Sequence, residues 1–348
     1  MSTSDLIAAA RTRLDGWLLG SAPQIADGAH AGAVAGSISA AGEIVYVYPE
    51  ITGYYLQWLA WRSRAHPDPA LAARAHAAAA WLGRWARQPV AATRVYVNAH
   101  VHDWRNDAVF TFDVAMAIRG IGSAVRQKLI EPDRGTVEAL ASHLEQLVGD
   151  DGAFVACRAL GEATLPTTWS TCQGPFLAKA AAGVLDAAAI LEGIPSVVTG
   201  AAAKTFERSV AAINDAPHDA LHPQLYAFEG VLAGRSSAPN ALERALDALL
   251  DVVGRSGGAP ELASHPHGVQ RVDVLAQLVR VVRGFRHSSG CAFDVDKALQ
   301  RLASAVDGTG AVPFAFGVPG PRNVWAAMFV SQAFCPDFPA GADSTLIV

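Results

Sequence analysis

Six times along the chain a short polar cluster opens directly into an apolar stretch, at intervals of about 50 to 60 residues. The clusters centre on Pro49, Thr111, Thr168, His222, Arg271 and Arg322. After the first, Tyr54, Tyr55, Leu56, Trp58, Leu59, Ala60 and Trp61 leave no polar face, the mark of an interior helix. The next helical stretch differs. It opens on Asp68-Pro69, a capping residue followed by a first-turn proline, and carries Arg74, His76, Arg84 and Arg87 along one side. That is an outer helix.

The alternation repeats, with inner helices predicted from Asp113, Gln173, His222, Asp273 and near Asn323, and outer ones from Asp133, Thr199, Ala238 and Val295. The sixth inner helix lacks a following partner, and an amphipathic stretch from Asp5 to Leu18 is left over at the front. The pattern therefore predicts an all-α protein: residues 1–348 as a single (α/α)6 toroid, or six-hairpin barrel, closed by its N-terminal helix. Residues 43–47, 94–97 and 311–316 are β-prone, and Asp151-Gly152 and Asp307-Gly308 are turn signals. These predict short β-hairpin loops on one rim, walling the mouth of a central cavity.

Composition narrows the possibilities. Apolar residues make up 51% and charged ones 17% of the 348 residues, which suits two concentric layers of helices. Net charge is −5 with scattered Lys and Arg, so no nucleic-acid footprint is present. No apolar run reaches the length of a membrane span, and the N-terminus lacks the pattern of a signal peptide; a cytoplasmic location is expected. Cys157, Cys172, Cys291 and Cys335 lie far apart and fit reduced, mostly buried thiols.

Several of the helix openings resemble the bacterial six-hairpin-glycosidase-like superfamily. They are Tyr-Pro-Glu-Ile-Thr-Gly-Tyr from Tyr48, Phe112-Asp113, Tyr-Ala-Phe-Glu-Gly from Tyr226, Arg-Val-Asp-Val-Leu-Ala-Gln from Arg271 and Asn-Val-Trp-Ala-Ala-Met-Phe from Asn323. Within that group they are most similar to polysaccharide-biosynthesis-associated proteins and the helical domain of glucuronyl C5-epimerases. The resemblance spans Tyr48 to Phe334 and implies the toroid. It extends to hydrolases, lyases and epimerases, and fold alone does not select among them.

If each inner helix points its first turn at the cavity mouth, Glu50, Asp113, Glu229 and Asp273 surround one bowl, joined by His222, Tyr226, Arg271 and Asn323. Crowded carboxylates raise at least one pKa and make a usable acid. The same residues also suit helix capping and the helix dipole, so both roles stay open. His222, Tyr226 and Glu229 share a helix face; that line either abstracts a proton or caps the helix over a buried tyrosine. Arg271 and Asp273, two apart, are not expected to face the cavity together.

The expected acid/base set is Glu50, Asp113, Tyr226 and Glu229. Expected substrate contacts are Tyr54, His102, Trp104, Trp169, His222, Arg271, Asp273, Asn323 and Trp325, with Arg271 suited to a substrate carboxylate. His100-Val101-His102 and His265-Pro266-His267 lack a third ligand at diagnostic spacing, so no metal or other cofactor is expected. Toroidal peptide cyclases that hold zinc through Trp-Cys and Cys-His segments are excluded, because Gln173 follows Cys172 and Ala292 follows Cys291. Nor does the small-residue stretch from Ala31 to Gly36 open a phosphate-binding helix.

The function read from these residues is a carbohydrate-active enzyme of hydrolase, lyase or epimerase type. It would take a small molecule or oligosaccharide by metal-independent acid/base chemistry, with no nucleic-acid or membrane partner. The alternatives are a cyclase-like enzyme of natural-product or peptide biosynthesis, or a non-catalytic binding protein on the same ring.

Overall fold

The computed structural model describes residues 2–65, 67–213, 219–234, 239–256, 258–285, 293–336, 338 and 346–348. Six helices form an inner ring: α2 (Pro49–Ala65), α4 (Thr111–Arg126), α6 (Leu177–Ala188), α8 (Leu221–Gly234), α10 (Val272–Gly284) and α12 (Val324–Ala333). Each packs on the next, and α12 returns to α2, so the ring closes. Around it lie α1 (Thr3–Leu18), α3 (Pro69–Ala86), α5 (Arg134–Glu145), α7 (Ser196–Ala211), α9 (Pro239–Ser256) and α11 (Val295–Ala305). Helix α1 packs against α11 and α12, the place left open by the missing sixth outer helix.

Several helices of the two layers start differently. Four outer helices carry side-chain caps: Ser2 with Asp5 on α1, Asp68 on α3, Asp133 on α5 and Asp294 on α11, whereas α7 starts at Pro195 without one. Helices α4, α6 and α10 begin at Phe110, Phe176 and Arg271 with no side-chain cap. Their first-turn polar groups are thereby free for other partners. Close packing fixes the inner ring. A Cβ on Gly53 would lie 2.3 Å from the Met116 carbonyl oxygen, and one on Gly230 would lie 2.4 Å from the Lys179 nitrogen. Only glycine lets α2 approach α4, and α8 approach α6, this closely.

The rim at the inner-helix N-termini is stitched by short strands. β1 (Ala35–Ile38), β2 (Ile44–Val47), β3 (Val95–Tyr96) and β6 (Arg322–Asn323) form a sheet of order β3-β2-β1-β6. Ser37 pairs with Asn323 and Ile38 with Arg322, tying the last hairpin unit to the first. β4 (Ala108–Phe110) pairs with β5 (Cys157–Ala159) between the second and third units.

Three details differ from the sequence reading. Helix α6 begins at Leu177 rather than Gln173, because the Leu177 and Ala178 amides close turns onto Gly174 and Pro175. The third polar cluster therefore sits on a loop. Residues 311–316 make only isolated bridges, while β1 forms from the Ala/Gly-rich stretch that gave no strand signal. Cys172 is exposed, and Cys157 and Cys335 are half-buried, so the thiols are less sheltered than expected. Cys291 and Ala238 lie outside the described residues.

At the opposite end, Leu346, Ile347 and Val348 are buried against the inner ring. The Gln332 side chain accepts from the Val348 amide (3.1 Å) and donates to the Leu346 carbonyl (2.8 Å).

Candidate active site at the mouth of the inner ring

Asp113 occupies the first turn of α4 and is 5% exposed. Its carboxyl does not cap its own helix. It accepts from Thr93 Oγ1 at 3.0 Å and from the Tyr48 hydroxyl at 3.3 Å. Burial, followed by repulsion from Glu50, pushes Asp113 well above the ordinary carboxylate range, against these hydrogen bonds and the Arg94 charge. A carboxyl so placed holds its proton more tightly than an exposed aspartate does.

Glu50, in the first turn of α2, is ringed by the hydroxyls of Tyr48, Tyr54 and Tyr226 and faces Lys179. Burial raises its pKa; the hydroxyls and Lys179 hold the rise in check. The fully buried Tyr54 hydroxyl stands beside Glu50 and Tyr226 yet makes no hydrogen bond of ordinary geometry. Burial drives Tyr48, Tyr54 and Tyr226 well above the usual phenol value, so all three stay protonated.

His222 and Tyr226, four residues apart on α8, lie tilted against each other with ring centroids 4.3 Å apart. Gln277 donates its amide to Glu229 (3.1 Å), so its oxygen faces His222 Nδ1 (2.6 Å). That network assigns the proton to Nδ1 and leaves Nε2 a lone pair. Burial, then the Arg271 charge, lowers the His222 pKa to about 4, so the ring is neutral.

Arg271 and Asp273 converge after all. Arg271 is the extended N-cap of α10, which turns its side chain back along the helix mouth. Its guanidinium grips both oxygens of Asp273 and lies 4.3 Å over the Phe314 ring. The Trp325 indole donates to Asp273 at 3.1 Å. Burial alone would raise Asp273, but Arg271, His222 and these hydrogen bonds hold it below its usual value. Arg271, expected to meet a substrate carboxylate, already pairs with Asp273 and lies 3.5 Å from Glu261. Asn323 caps α12 by accepting from the Ala326 amide (2.8 Å).

Beneath this layer Glu229 has no exposed surface, and Lys179 (2.8 Å), Arg280 and Gln277 occupy its oxygens. Sequence reasoning missed Tyr48, Thr93, Lys179, Gln277 and Arg280. The one legible signal was a lone cation or amide inside an apolar inner helix.

Trp169, on the loop before α6, folds inward: its ring lies 5.2 Å from Phe176, 6.1 Å from His222 and 6.4 Å from Tyr226. His102 and Trp104 do not join the cluster. His102 is exposed near Asp107 (3.4 Å), and Trp104 packs on Phe110 and under Arg105. Among the described residues no group of three His, Cys, Asp or Glu side chains is placed to hold a metal ion. Two cavities, of about 790 and 720 Å³, lie away from these carboxylates. One flanks α1 and α11; the other lies among the inner-helix C-termini. The mouth is the place to look for chemistry because polar groups converge there, not because a large void does.

No family model and no curated protein matches this sequence. Solved structures do match in shape. An unsaturated glucuronyl hydrolase specific for heparin superimposes with a TM-score of 0.64 at 11% identity, covering 95% of each chain. Cellobiose 2-epimerase from Spirochaeta thermophila DSM 6192 gives 0.65 at 13% identity, over 94% of this chain and 95% of that one. This chain has the six-hairpin (α/α)6 toroid fold. A variant of the type II terpene cyclase MstE from Scytonema, in complex with geranylgeranyl dihydroxybenzoate, also matches the toroid, with a TM-score of 0.55 at 11% identity over 99% of both chains. Among the described residues of the toroid, no helix is long and apolar enough to cross a membrane.

Proposed function

We propose that the mouth of the ring is the active site of a carbohydrate-active enzyme of hydrolase, lyase or epimerase type. The observation that carries this reading is a pair of buried neighbouring carboxyl groups, Asp113 and Glu50, in unequal surroundings. Asp113 keeps its proton and serves as general acid toward a leaving or ring oxygen. Glu50, supported by three hydroxyls and Lys179, serves as the base that takes a proton from water or from a sugar carbon. The half-buried Trp169 and Trp325 offer flat apolar faces on which the C–H face of a sugar ring can stack. Tyr226 and the His222 Nε2 lone pair line the same opening, and Glu229 and Asp273 act as buried counter-charges. The sugar enzymes that share the toroid support a saccharide substrate in this one.

A second reading rests on one specific feature. Asp113 is flanked by Phe112, whose ring lies 4.6 Å from Tyr226 and 6.1 Å from Phe176. A neutral carboxylic acid over aromatic rings is also what protonation of an alkene and stabilisation of a carbocation require. The purified protein, incubated with reducing disaccharides, uronic-acid glycosides and unphosphorylated polyprenyl phenols, separates the two by product NMR and mass. The expected result is conversion of a saccharide. Cyclisation of a prenyl substrate instead selects the second reading, and conversion of neither class removes both.

A further inference from the structure

The loop that folds Trp169 over the mouth also carries an exposed thiol, Cys172. A second thiol reaches the same loop from β5. Cys157, half-buried, opens that strand, and its Sγ lies 3.8 Å from the Thr171 carbonyl oxygen, to which it donates. That oxygen belongs to the peptide joining Thr171 to Cys172. Covalent geometry then places the Cys172 Cα no more than about 7 Å from the Cys157 sulfur. The charge of a Cys172 thiolate is felt at Cys157, adding to the larger effect of burial in raising its pKa. A disulfide joins Cα atoms about 4.4–6.8 Å apart, so a rotation of Cys172 and a shift of its turn by at most about 3 Å closes the bond.

Both thiols sit on parts that build the mouth. Cys157 pairs with Phe110, the residue that leads into α4 and Asp113. Cys172 closes a turn in which the Thr171 and Cys172 amides both donate to the Thr168 carbonyl at 3.2 Å. The Thr171 hydroxyl ties that turn to the Pro166 carbonyl at 2.8 Å. Trp169 lies inside the turn, so it and Cys172 move together. The other thiol among the described residues, Cys335, follows α12 at the opposite end of the ring and is out of reach.

We propose that Cys157 and Cys172 are a redox modification site, forming a disulfide that pins the Trp169 turn to β5. The co-reactant is a small-molecule disulfide of the glutathione type. Exposed Cys172, as the thiolate, attacks one sulfur of that disulfide; its S–S bond breaks and one small thiolate leaves. The Cys157 thiolate then attacks the Cys172 sulfur of the mixed disulfide, and the second small thiolate leaves. The protein gives up two electrons and two protons, and the small disulfide takes them up as two thiols. The pairing stands apart from the acid/base reading of the mouth; only an effect on turnover rests on that reading.

The test uses the full-length protein, an excess of oxidised glutathione, and tryptic mapping after free thiols are blocked. Trypsin cuts after Arg134, Arg158 and Lys179, which puts the two cysteines on separate peptides. The expected product is peptide 135–158 linked to peptide 159–179, a link that dithiothreitol reverses. In Cys157→Ser, oxidation is expected to stop at a glutathione adduct on Cys172. Amide exchange over residues 160–176 is expected to slow about tenfold in the linked form. A parent protein that stops at the Cys172 adduct, or that joins two chains through Cys172, overturns the proposal. So does a linked form whose exchange over that loop is unchanged, because the Trp169 turn is then not pinned. None of these measurements uses a substrate, so their failure leaves the acid/base reading untouched.

Discussion

Asp113→Asn is expected to lower turnover of the accepted substrate by about 10²- to 10⁴-fold, the usual worth of a positioned general acid. Asparagine keeps the shape of the side chain and can still accept from one of the Thr93 and Tyr48 hydroxyls, donating to the other through its amide, but it has no acidic proton to give. The stability side has a definite sign. The folded pKa of Asp113 lies above its unfolded value, so the folded state binds this proton more tightly. Stability from this group is complete below pH of about 4 and falls as pH rises toward the folded pKa. Asparagine removes that cost. The variant is therefore expected to melt at the same temperature as the parent or higher, at neutral pH, while losing activity. Equal turnover in the two proteins, or a large fall in melting temperature with activity retained, would mean that the carboxyl is there for packing.

Glu229→Ala is expected to act in the opposite way, on the fold first. Both Lys179 and Arg280 lose their counter-charge at a position with no exposed surface. Breaking a buried pair by removing one partner costs about 3–5 kcal/mol, because the other charge is left uncompensated. Here two cations are orphaned by one substitution, so the upper part of that range is expected, read as a shift in the denaturant midpoint. Arg280 also donates to Gln332 (2.7 Å) and to the Val348 carbonyl (3.1 Å), so residues 346–348 should loosen in the same variant. A loss below about 1 kcal/mol, the scale of an exposed ion pair, would show that this cluster is not sealed from water.

The ring was legible because burial on all sides and burial on one side leave different patterns. Tyr54 to Trp61 has no polar face and is interior, whereas the Asp68-Pro69 start and the arginines after it mark an exterior helix. Glu50 and Asp113 were legible as acids at the head of apolar helices, but their purpose was not. An acid in a first turn serves a cap and an active site equally well in sequence. Geometry separates the roles: Asp68, Asp133 and Asp294 accept from amides of their own helices, whereas Asp113 gives its oxygens to Thr93 and Tyr48 from other segments. Asn323 went the other way and is a cap.

What stayed hidden depended on distant contacts. Arg271 and Asp273 meet because Arg271 sits outside the helix, so helical spacing was the wrong rule for the pair. Lys179 showed only as a cation interrupting alanines; the rings around it come from three other helices, between Tyr54 and Phe329 in the sequence. The Trp169 loop carried no signal that it would fold over His222, since the third unit breaks the pattern of polar cluster leading straight into helix.

The proposed chemistry depends on the mouth holding a proton on Asp113 where an exposed aspartate would have lost it. Following the ¹³Cγ shift of this residue in the parent protein from pH 3 to pH 8 measures that directly. The expected midpoint lies well above the ordinary aspartate value of about 4. A midpoint at or below about 4 would contradict the account, since the residue would then be a carboxylate with no acid role at the mouth of the ring.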